Sequence, residues 1–150
     1  MEYKFTSRSV EDTLTLAQNI ESEKFPNMVI CLIGELGSGK TVFTKGFAAA
    51  LGIKDTITSP TFNIIKEYQS GELTLYHMDV YRLEEADESI GFNDYFNKGG
   101  VTIIEWADII KGSLPQERLV IKFKVIDEDT RVLVFTPYGE EYEELCSAVL

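Results

Sequence analysis

The nine residues IGELGSGKT, which run from Ile33 to Thr41, decide the fold of this chain. They match the phosphate-binding pattern G-x-x-x-x-G-K-[ST], whose fixed positions are Gly34, Gly39, Lys40 and Thr41. In such a loop successive backbone N–H groups point inward at the start of a helix, where they bind phosphate oxygens. The stretch therefore predicts a nucleotide site, provided that a strand leads into it and a helix leads out.

Both flanks of the loop meet that condition. Met28–Ile33 reads MVICLI, a continuous apolar run that is typical of a strand covered on both faces. The residues after the loop, TVFTKGFAAALG, predict a helix that stops at Gly52. The apolar positions at helical spacing in this stretch are Val42, Phe43, Phe47, Ala50 and Leu51. Upstream, SVEDTLTLAQNI predicts an earlier helix, opened by Ser9 and Asp12 as a near capping box.

The rest of the chain predicts a mixed sheet. The further strand candidates are Thr61–Gln69, Leu73–Tyr81, Val101–Trp106, Arg118–Ile126 and Arg131–Pro137. Short polar turns separate the first two and the last two, so each of these pairs predicts an antiparallel hairpin. The final EEYEELCSAVL predicts an amphipathic helix. We therefore expect an α/β fold, with a parallel core and antiparallel hairpins flanked by helices, and a single nucleotide-binding domain over residues 1–150.

Composition narrows the class of protein and its partners. The 14 basic and 25 acidic residues give a formal charge of −11, so long-range electrostatics repel nucleic acid and anionic membranes. No segment of the sequence has the length of a membrane span or the pattern of a signal peptide, and we expect a soluble, cytoplasmic protein. Cys31 and Cys146 lack metal-ligand spacing and predict buried thiols. If RNA enters this protein's biology, another subunit is expected to hold it.

Two strand-end acids are candidates for the metal and the attacking water. Lys40 would face the β- and γ-phosphates, while the Thr41 hydroxyl would bind Mg²⁺. A hydrolysing site of this kind also needs an acid at the end of a neighbouring strand. Glu105 ends VTIIE, the more deeply buried strand type, and is preferred for the metal. Asp79 ends LTLYHMD and is the candidate that orients water, although either acid could be an ordinary strand-end carboxylate.

Three weaker signals have structural alternatives. His77, the single histidine, shares a strand face with Asp79, but a hydrogen-bonded core histidine is the preferred interpretation. Trp106 could stack on a base or on a partner, and a packing role is more common for an aromatic residue at a strand end. Thr61, in TSPTF, could reach the γ-phosphate like a switch threonine or simply cap a turn.

The succession of GELGSGKT, TSPTF, HMDVYRL, GFNDYF and IIEW, from Gly34 to Trp106, resembles the TsaE (formerly YjeE) family. That resemblance implies a small P-loop ATPase that works with TsaB and TsaD in making the threonylcarbamoyladenosine modification of tRNAs that read ANN codons. It implies ATP and Mg²⁺ as cofactors, and contact with tRNA only through the complex. It further implies that Thr61 lies in a switch-like loop, that Asp79 and Glu105 are functional acids, and that Trp106 lies near the nucleotide.

The predicted site is the following set. Catalytic roles fall to Lys40, Thr61 and Asp79, and metal binding to Thr41 and Glu105. Nucleotide contacts are expected from Glu35, Leu36, Gly37, Ser38, Gly39, Lys40, Thr41, Val42 and Trp106. The adenine contacts stay open.

Other functions remain as alternatives. A small-molecule kinase usually has an arginine-rich lid, whereas the four arginines here are scattered. A GTPase would need N-K-x-D, and NKGG at Asn97–Gly100 lacks the aspartate. An adaptor that senses ATP without hydrolysing it is the non-enzymatic alternative.

Overall fold

The computed structural model describes residues 1–58, 65–81 and 92–150. The strands are β1 (Tyr3–Ser7), β2 (Met28–Ile33), β3 (Ile65–Tyr68), β4 (Leu75–Asp79), β5 (Val101–Glu105), β6 (Arg118–Val125) and β7 (Arg131–Tyr138). The helices are α1 (Val10–Glu21), α2 (Lys40–Leu51), α3 (Phe92–Phe96) and α4 (Glu140–Val149), with a 3₁₀ segment at Ala107–Ser113.

The strands form one mixed sheet of seven, in the order β1-β7-β6-β2-β5-β4-β3. β2 lies between β6 and β5, and β4 lies beside β5, all four parallel. The β3/β4 and β6/β7 pairs are antiparallel hairpins, as the short turns predict, and β1 adds an antiparallel edge. The predicted mixed sheet with a parallel core is therefore confirmed. Because the parallel strands share one direction, the carboxyl ends of β2, β4 and β5 meet at the same sheet edge.

The helix boundaries follow the local signals in the sequence. Ser9 caps α1, since its Oγ accepts a hydrogen bond from the Asp12 backbone N–H at 3.1 Å. The Asp12 carboxylate accepts in return from the N–H of Arg8 at 2.9 Å, one residue before the cap. α2 stops at Gly52, whose φ of 92° lies in the left-handed region that glycine adopts without strain. Both predicted boundaries are confirmed.

Two hydrophobic layers, one on each face of the sheet, hold these elements in place. α1, α2 and α4 cover one face, where Phe43 and Phe47 are fully buried. α3 and the 3₁₀ segment cover the other, over Met78 and Ile104. Burying an aromatic side chain of this size contributes about 2–3 kcal/mol. Phe43 also matters to the site, because it lies in the first turn of α2 and fixes the end of the glycine loop.

Some elements differ from the sequence expectation. β1, α3 and the 3₁₀ segment were not predicted, because each is short. The predicted Thr61–Gln69 strand is seen as Ile65–Tyr68, and its first four residues lie outside the described residues. The remaining strands match within about two residues, which is the usual uncertainty of element ends. Among the described helices, none combines the length and the apolar character that crossing a membrane requires.

Candidate functional site

The glycine loop adopts a backbone that only its sequence permits. Gly37 and Gly39 have φ values of 77° and 105°, both in the left-handed region that costs other residues about 1–2 kcal/mol. The Ser38 N–H donates to the Glu35 carbonyl at 3.1 Å and closes the turn. Gly39 starts α2 without a side-chain cap. The first turn of α2 therefore presents backbone donors that an anion at this position can satisfy.

Gly34 is required for a different reason. A Cβ there would lie 2.7 Å from Ser38 Oγ and 3.1 Å from the Phe123 carbonyl oxygen, so the loop passes too close to β6 for any side chain. The Ser38 hydroxyl is buried and has no hydrogen-bond partner in the part of the chain that the structure describes. Unsatisfied buried polar groups are uncommon in folded proteins and often mark ligand sites. The loop thus has the close approach and the orphan donor expected of a phosphate cradle.

Lys40 lies almost fully buried beneath this loop. Its Nζ donates to the Gly34 carbonyl at 2.7 Å and lies 3.6 Å from the centroid of the Trp106 ring. Burial lowers the pKa of Lys40, and the carboxylates of Glu105 and Asp79 act in the opposite direction. The ammonium is therefore held by a neutral carbonyl and an aromatic face, and no ion pair within 4.0 Å is recorded for it in the described residues. A phosphate group would offer this cation a stronger partner.

Trp106 has an unusual backbone conformation immediately after β5. Its φ of 62° and ψ of 35° are left-handed, which is rare for a bulky residue and typical of functional sites. The Trp106 N–H donates to the Leu32 carbonyl at 3.0 Å, which anchors it to β2. The Tyr81 ring lies 4.7 Å away, centroid to centroid. This turn places the indole over Lys40, where it also packs against the hydrophobic layer of Met78 and Ile104.

Asp79 and Glu105 occupy paired positions at the ends of β4 and β5. Burial raises the pKa of Asp79, and the nearby Glu105 raises it further, whereas the Tyr81 N–H bound to its Oδ1 at 3.0 Å lowers it. Glu105 is 3% exposed and contacts His77, whose Nε2 lies 2.6 Å from Glu105 Oε2. The prediction of a hydrogen-bonded core histidine is therefore confirmed. Both acids line the same cavity as the glycine loop.

That cavity, of about 340 Å³, collects most of the predicted site. The predicted residues that line it are Leu36, Gly37, Ser38, Gly39, Lys40, Thr41, Val42, Asp79, Glu105 and Trp106. Glu35 does not line it and contributes only its carbonyl, which accepts from Ser38. The predicted Thr61 lies outside the described residues.

Arg131 is the main residue of the cavity that sequence reasoning missed. It stands at the start of β7, and its Nη2 donates to the Gly37 carbonyl at 3.3 Å. Its Nη1 donates to the Asp127 carbonyl at 2.7 Å, within the β6–β7 turn. Asp127 closes that turn by accepting from the N–H groups of Asp129 and Thr130, contacts that lower the pKa of Asp127. The hairpin itself was predictable, but its position beside the glycine loop was not.

The start of α1 forms the remaining wall, which the sequence also did not indicate. Ser9, Val10 and Thr13 line the cavity, as do Glu128, Asp129 and Arg131 of the β6–β7 turn. Val10 is 56% exposed, and Leu36 at the tip of the loop is 83% exposed. The cavity therefore combines Lys40 and the two acids with a wall at the start of α1 that carries two hydroxyls and one valine.

The donor set fits a magnesium nucleotide. Within residues 1–58, 65–81 and 92–150, no group of three or more His, Cys, Asp or Glu side chains could hold a metal by itself. Mg²⁺ in phosphate sites typically takes one or two protein oxygens and completes its shell with phosphate and water. A hydroxyl at Thr41, a carboxylate at Glu105 and the adjoining phosphate cradle supply such a shell.

The comparisons with known protein sequences agree on one family. The sequence model of a family described as "Threonylcarbamoyl adenosine biosynthesis protein TsaE" matches residues 7–133. A Bacillus subtilis (strain 168) protein named "tRNA threonylcarbamoyladenosine biosynthesis protein TsaE" is 48% identical over 143 residues, 95% of this chain and 90% of that protein. A Treponema pallidum (strain Nichols) protein of the same name is 39% identical over 127 residues, 83% of this chain and 93% of that protein. The crystal structure of Bacillus subtilis YdiB superposes with a TM-score of 0.86 and 44% identity, covering 99% of this chain and 94% of that one.

Proposed function

Because the chain belongs to the TsaE family of threonylcarbamoyl adenosine biosynthesis proteins, we propose that it is a Mg²⁺-dependent ATPase that acts in this pathway with TsaB and TsaD. The family's role lies in tRNA threonylcarbamoyladenosine biosynthesis. We take the modified tRNAs to be those that read ANN codons. The observation that carries the ATPase proposal is the arrangement of Lys40, which lies between the glycine loop and two strand-end carboxylates in one cavity.

The loop and the start of α2 bind the phosphates. The N–H groups of Gly37, Gly39 and Lys40 would contact phosphate oxygens, as would that of Ser38 once it exchanges the Glu35 carbonyl for a phosphate. The Lys40 ammonium would exchange the Gly34 carbonyl for the β- and γ-phosphates. Thr41 and Glu105 would hold Mg²⁺, and the bound metal would supply positive charge beside the γ-phosphoryl group. This division of roles follows from depth, since Glu105 is the more buried acid and lies closest to the strand that carries the loop.

Asp79 orients the attacking water. Its raised pKa makes the carboxylate a better hydrogen-bond and proton acceptor than a fully solvated one. The Tyr81 N–H holds one of its oxygens, which leaves the other for water. Thr61 completes the proposal by resemblance, as the switch residue that reaches the γ-phosphate.

The adenosine occupies the part of the cavity that the phosphates leave. This part lies between the start of α1, at Ser9 and Val10, and the β6–β7 turn, at Glu128 and Arg131. Val10 offers an apolar surface for the base. Arg131 donates to the carbonyl of Gly37, in the part of the glycine loop that would contact the phosphates. This assignment fills the adenine contacts that the sequence leaves open.

The site depends on a partner for full activity. In related P-loop enzymes an arginine placed at the transition state contributes on the order of 10³ to 10⁵ in rate. Within the chain, the sequence favours Arg82, three residues beyond Asp79, as the candidate for this arginine, and Arg82 lies outside the described residues. The Arg131 guanidinium already donates to backbone carbonyls of its own turn and of Gly37. Slow turnover by the isolated chain therefore stays a prediction, with the missing charge supplied by a partner.

The rim of the cavity and the overall charge support docking on such a partner. Leu36, Val10 and Tyr81 are more than half exposed around the opening, so a partner surface could bury them. The formal charge of −11 disfavours binding of tRNA by the free chain and favours its docking on a basic surface of a partner.

A pull-down with and without ATP tests this proposal. The tagged chain, incubated with bacterial lysate, is expected to capture TsaB and TsaD, with more captured when ATP and Mg²⁺ are present. A Lys40→Met variant is the matched control, because it keeps the length of the side chain and removes its charge. Capture of neither protein under both conditions would contradict the partnership, and calorimetry without any ATP binding would contradict the site.

A further inference from the structure

His77 is a buried polar group that the proposed chemistry does not use. It is the single histidine of the chain and is fully buried in β4. Its Nε2 lies 2.6 Å from Glu105 Oε2, while its Nδ1 is buried and has no hydrogen-bond partner within residues 1–58, 65–81 and 92–150. The described hydrogen-bond contact of the imidazole is therefore with Glu105, the acid that is proposed to bind the metal.

The sheet register explains why these side chains meet. In the parallel β4/β5 pair, His77 lies opposite Ile103 and Asp79 lies opposite Glu105. Residues two apart on a strand project to the same face, so His77 and Asp79 both face the side on which Glu105 lies. The His77–Glu105 contact is therefore a diagonal bond between strands, one residue pair below the mouth of the site.

We propose that His77 is a positioning residue that fixes the Glu105 carboxylate for Mg²⁺. An Nε2–H that donates to Oε2 would set the rotation of the carboxylate and leave Oε1 to bind the metal. Ligating carboxylates are commonly held by such hydrogen bonds, and loss of the supporting group typically costs 10- to 100-fold in metal affinity. This inference rests on the proposed function, because it assumes that Glu105 binds Mg²⁺.

The surroundings of the pair argue against a purely structural role. A buried polar pair with an unsatisfied nitrogen stabilises a fold less than a well-packed apolar pair would. Two residues pair with His77 in the sheet: Ile103 in β5 is apolar and buried, whereas Lys66 in the edge strand β3 is exposed and its Nζ donates to Thr58 Oγ1 at 3.1 Å. We therefore attribute the buried histidine to the orientation of the Glu105 carboxylate and not to the stability of β4.

Two amide variants separate positioning from packing. His77→Gln keeps an N–H donor near the position of Nε2, whereas His77→Asn carries the same amide one methylene shorter and reaches only the position of Nδ1. Thr102→Val is the matched control, since Thr102 is equally buried in β5 and lies one residue from Ile103 on the opposite face of the sheet. The ligand is ATP, with its affinity measured by calorimetry in EDTA and across a Mg²⁺ titration, and with Mn²⁺ binding followed by electron paramagnetic resonance.

The expected result is a selective loss of metal affinity. His77→Asn should raise the Mg²⁺ and Mn²⁺ concentrations for half-saturation by about 10- to 100-fold and leave ATP affinity in EDTA unchanged. His77→Gln should recover most of the loss, and Thr102→Val should show none. Wild-type metal affinity in His77→Asn, an equal loss in EDTA, or a Gln variant as weak as the Asn variant would each overturn the inference.

The unmodified protein provides a second readout that does not depend on how the variants fold. With ¹⁵N-labelled histidine, NMR is expected to show a protonated Nε2 with slow exchange and an unprotonated Nδ1. A proton on Nδ1 alone would overturn the inference, because Nε2 could then donate nothing to Glu105. If the wild-type chain binds ATP without any Mg²⁺ dependence, the proposed function itself fails, which is a distinct result.

Discussion

Replacing Lys40 by methionine should weaken ATP binding by about three orders of magnitude. The attraction between the ammonium and one phosphoryl charge at about 4 Å is about 4 kcal/mol at an effective dielectric constant of about 20. To reach the phosphates, Lys40 leaves its 2.7 Å bond to the Gly34 carbonyl, worth about 2 kcal/mol, and its contact with Trp106, worth about 1 kcal/mol. A lysine that bridges two phosphoryl groups therefore gains about 5 kcal/mol net, which corresponds to more than about 10³-fold in affinity.

The same arithmetic predicts a smaller effect on ADP. With a single phosphoryl group in reach, the net gain falls to about 1 kcal/mol, so Lys40→Met should weaken ADP binding only about fivefold. Calorimetry with both nucleotides measures the two losses directly. The fluorescence of Trp106, the one tryptophan of the chain, gives a second readout, because nucleotide binding should draw the cation away from its ring in the wild type.

Two results would refute this reasoning. If Lys40→Met binds ATP as tightly as the wild type, Lys40 does not face the phosphates and the site assignment fails. If ATP and ADP affinities fall by the same factor, the lysine does not distinguish the γ-phosphate, and its role is limited to holding the loop.

Four further substitutions have expected outcomes. Glu105→Gln should chiefly raise the Mg²⁺ concentration needed for turnover, measured by a metal titration. Asp79→Asn should keep ATP affinity and lose hydrolysis. Exchanged phenotypes would show that the two roles are reversed. Because burial raises the pKa of Asp79, native protein binds more protons there than the unfolded chain, so Asp79→Asn should raise the nucleotide-free melting temperature at neutral pH. That gain should vanish below the ordinary pKa of 3.8, and a gain independent of pH would contradict it. Arg131→Met should weaken nucleotide binding about 10-fold by calorimetry, since it loses one charge-assisted contact beside the loop; unchanged affinity would place the nucleotide elsewhere. Gly39→Ala should lower the free energy of unfolding, measured by urea titration, by about 1–2 kcal/mol, because Gly39 has a φ of 105°. Phe123 leaves room for the methyl group, so the loss would come from the backbone conformation. Wild-type stability in this variant would argue against the left-handed loop.

Local signals in the sequence predicted the elements that carry the glycine loop. The apolar run of β2, the glycine loop and the stop at Gly52 each act within a few residues, so their physics is visible in the sequence alone. The same holds for the Ser9 cap and for the β3/β4 and β6/β7 hairpins, where the turn length fixes the pairing.

The sequence could not show contacts that depend on sheet order. Arg131 and Gly37 are 94 positions apart, and they meet because β6 lies directly beside β2. β1 is a five-residue edge strand that pairs with β7 at the far end of the chain, so its short alternating pattern carries little signal. For the same reason, the sequence does not show that the start of α1 lines the cavity.

The strained turn at Trp106 was also beyond sequence reasoning. An aromatic residue after a buried strand usually packs in the core, and only the left-handed φ of 62° turns this one over Lys40. Conversely, the likeness of the motifs to the TsaE family indicated that Trp106 lies near the nucleotide, a role that periodicity and composition do not reveal. The motif order thus supplies an expectation for Trp106 that single residues do not, and its contact with a nucleotide stays a prediction.

Steady-state turnover with product analysis tests the central proposal most directly. The chain is assayed with ATP and Mg²⁺, alone and with TsaB and TsaD, and ADP and inorganic phosphate are quantified together. The account predicts slow hydrolysis by the isolated chain, faster hydrolysis with the partners, and equal amounts of the two products under both conditions. ATP that binds and remains intact in the presence of both partners would identify a nucleotide-sensing adaptor, and ADP formed without matching phosphate would identify a kinase; either result would contradict the ATPase.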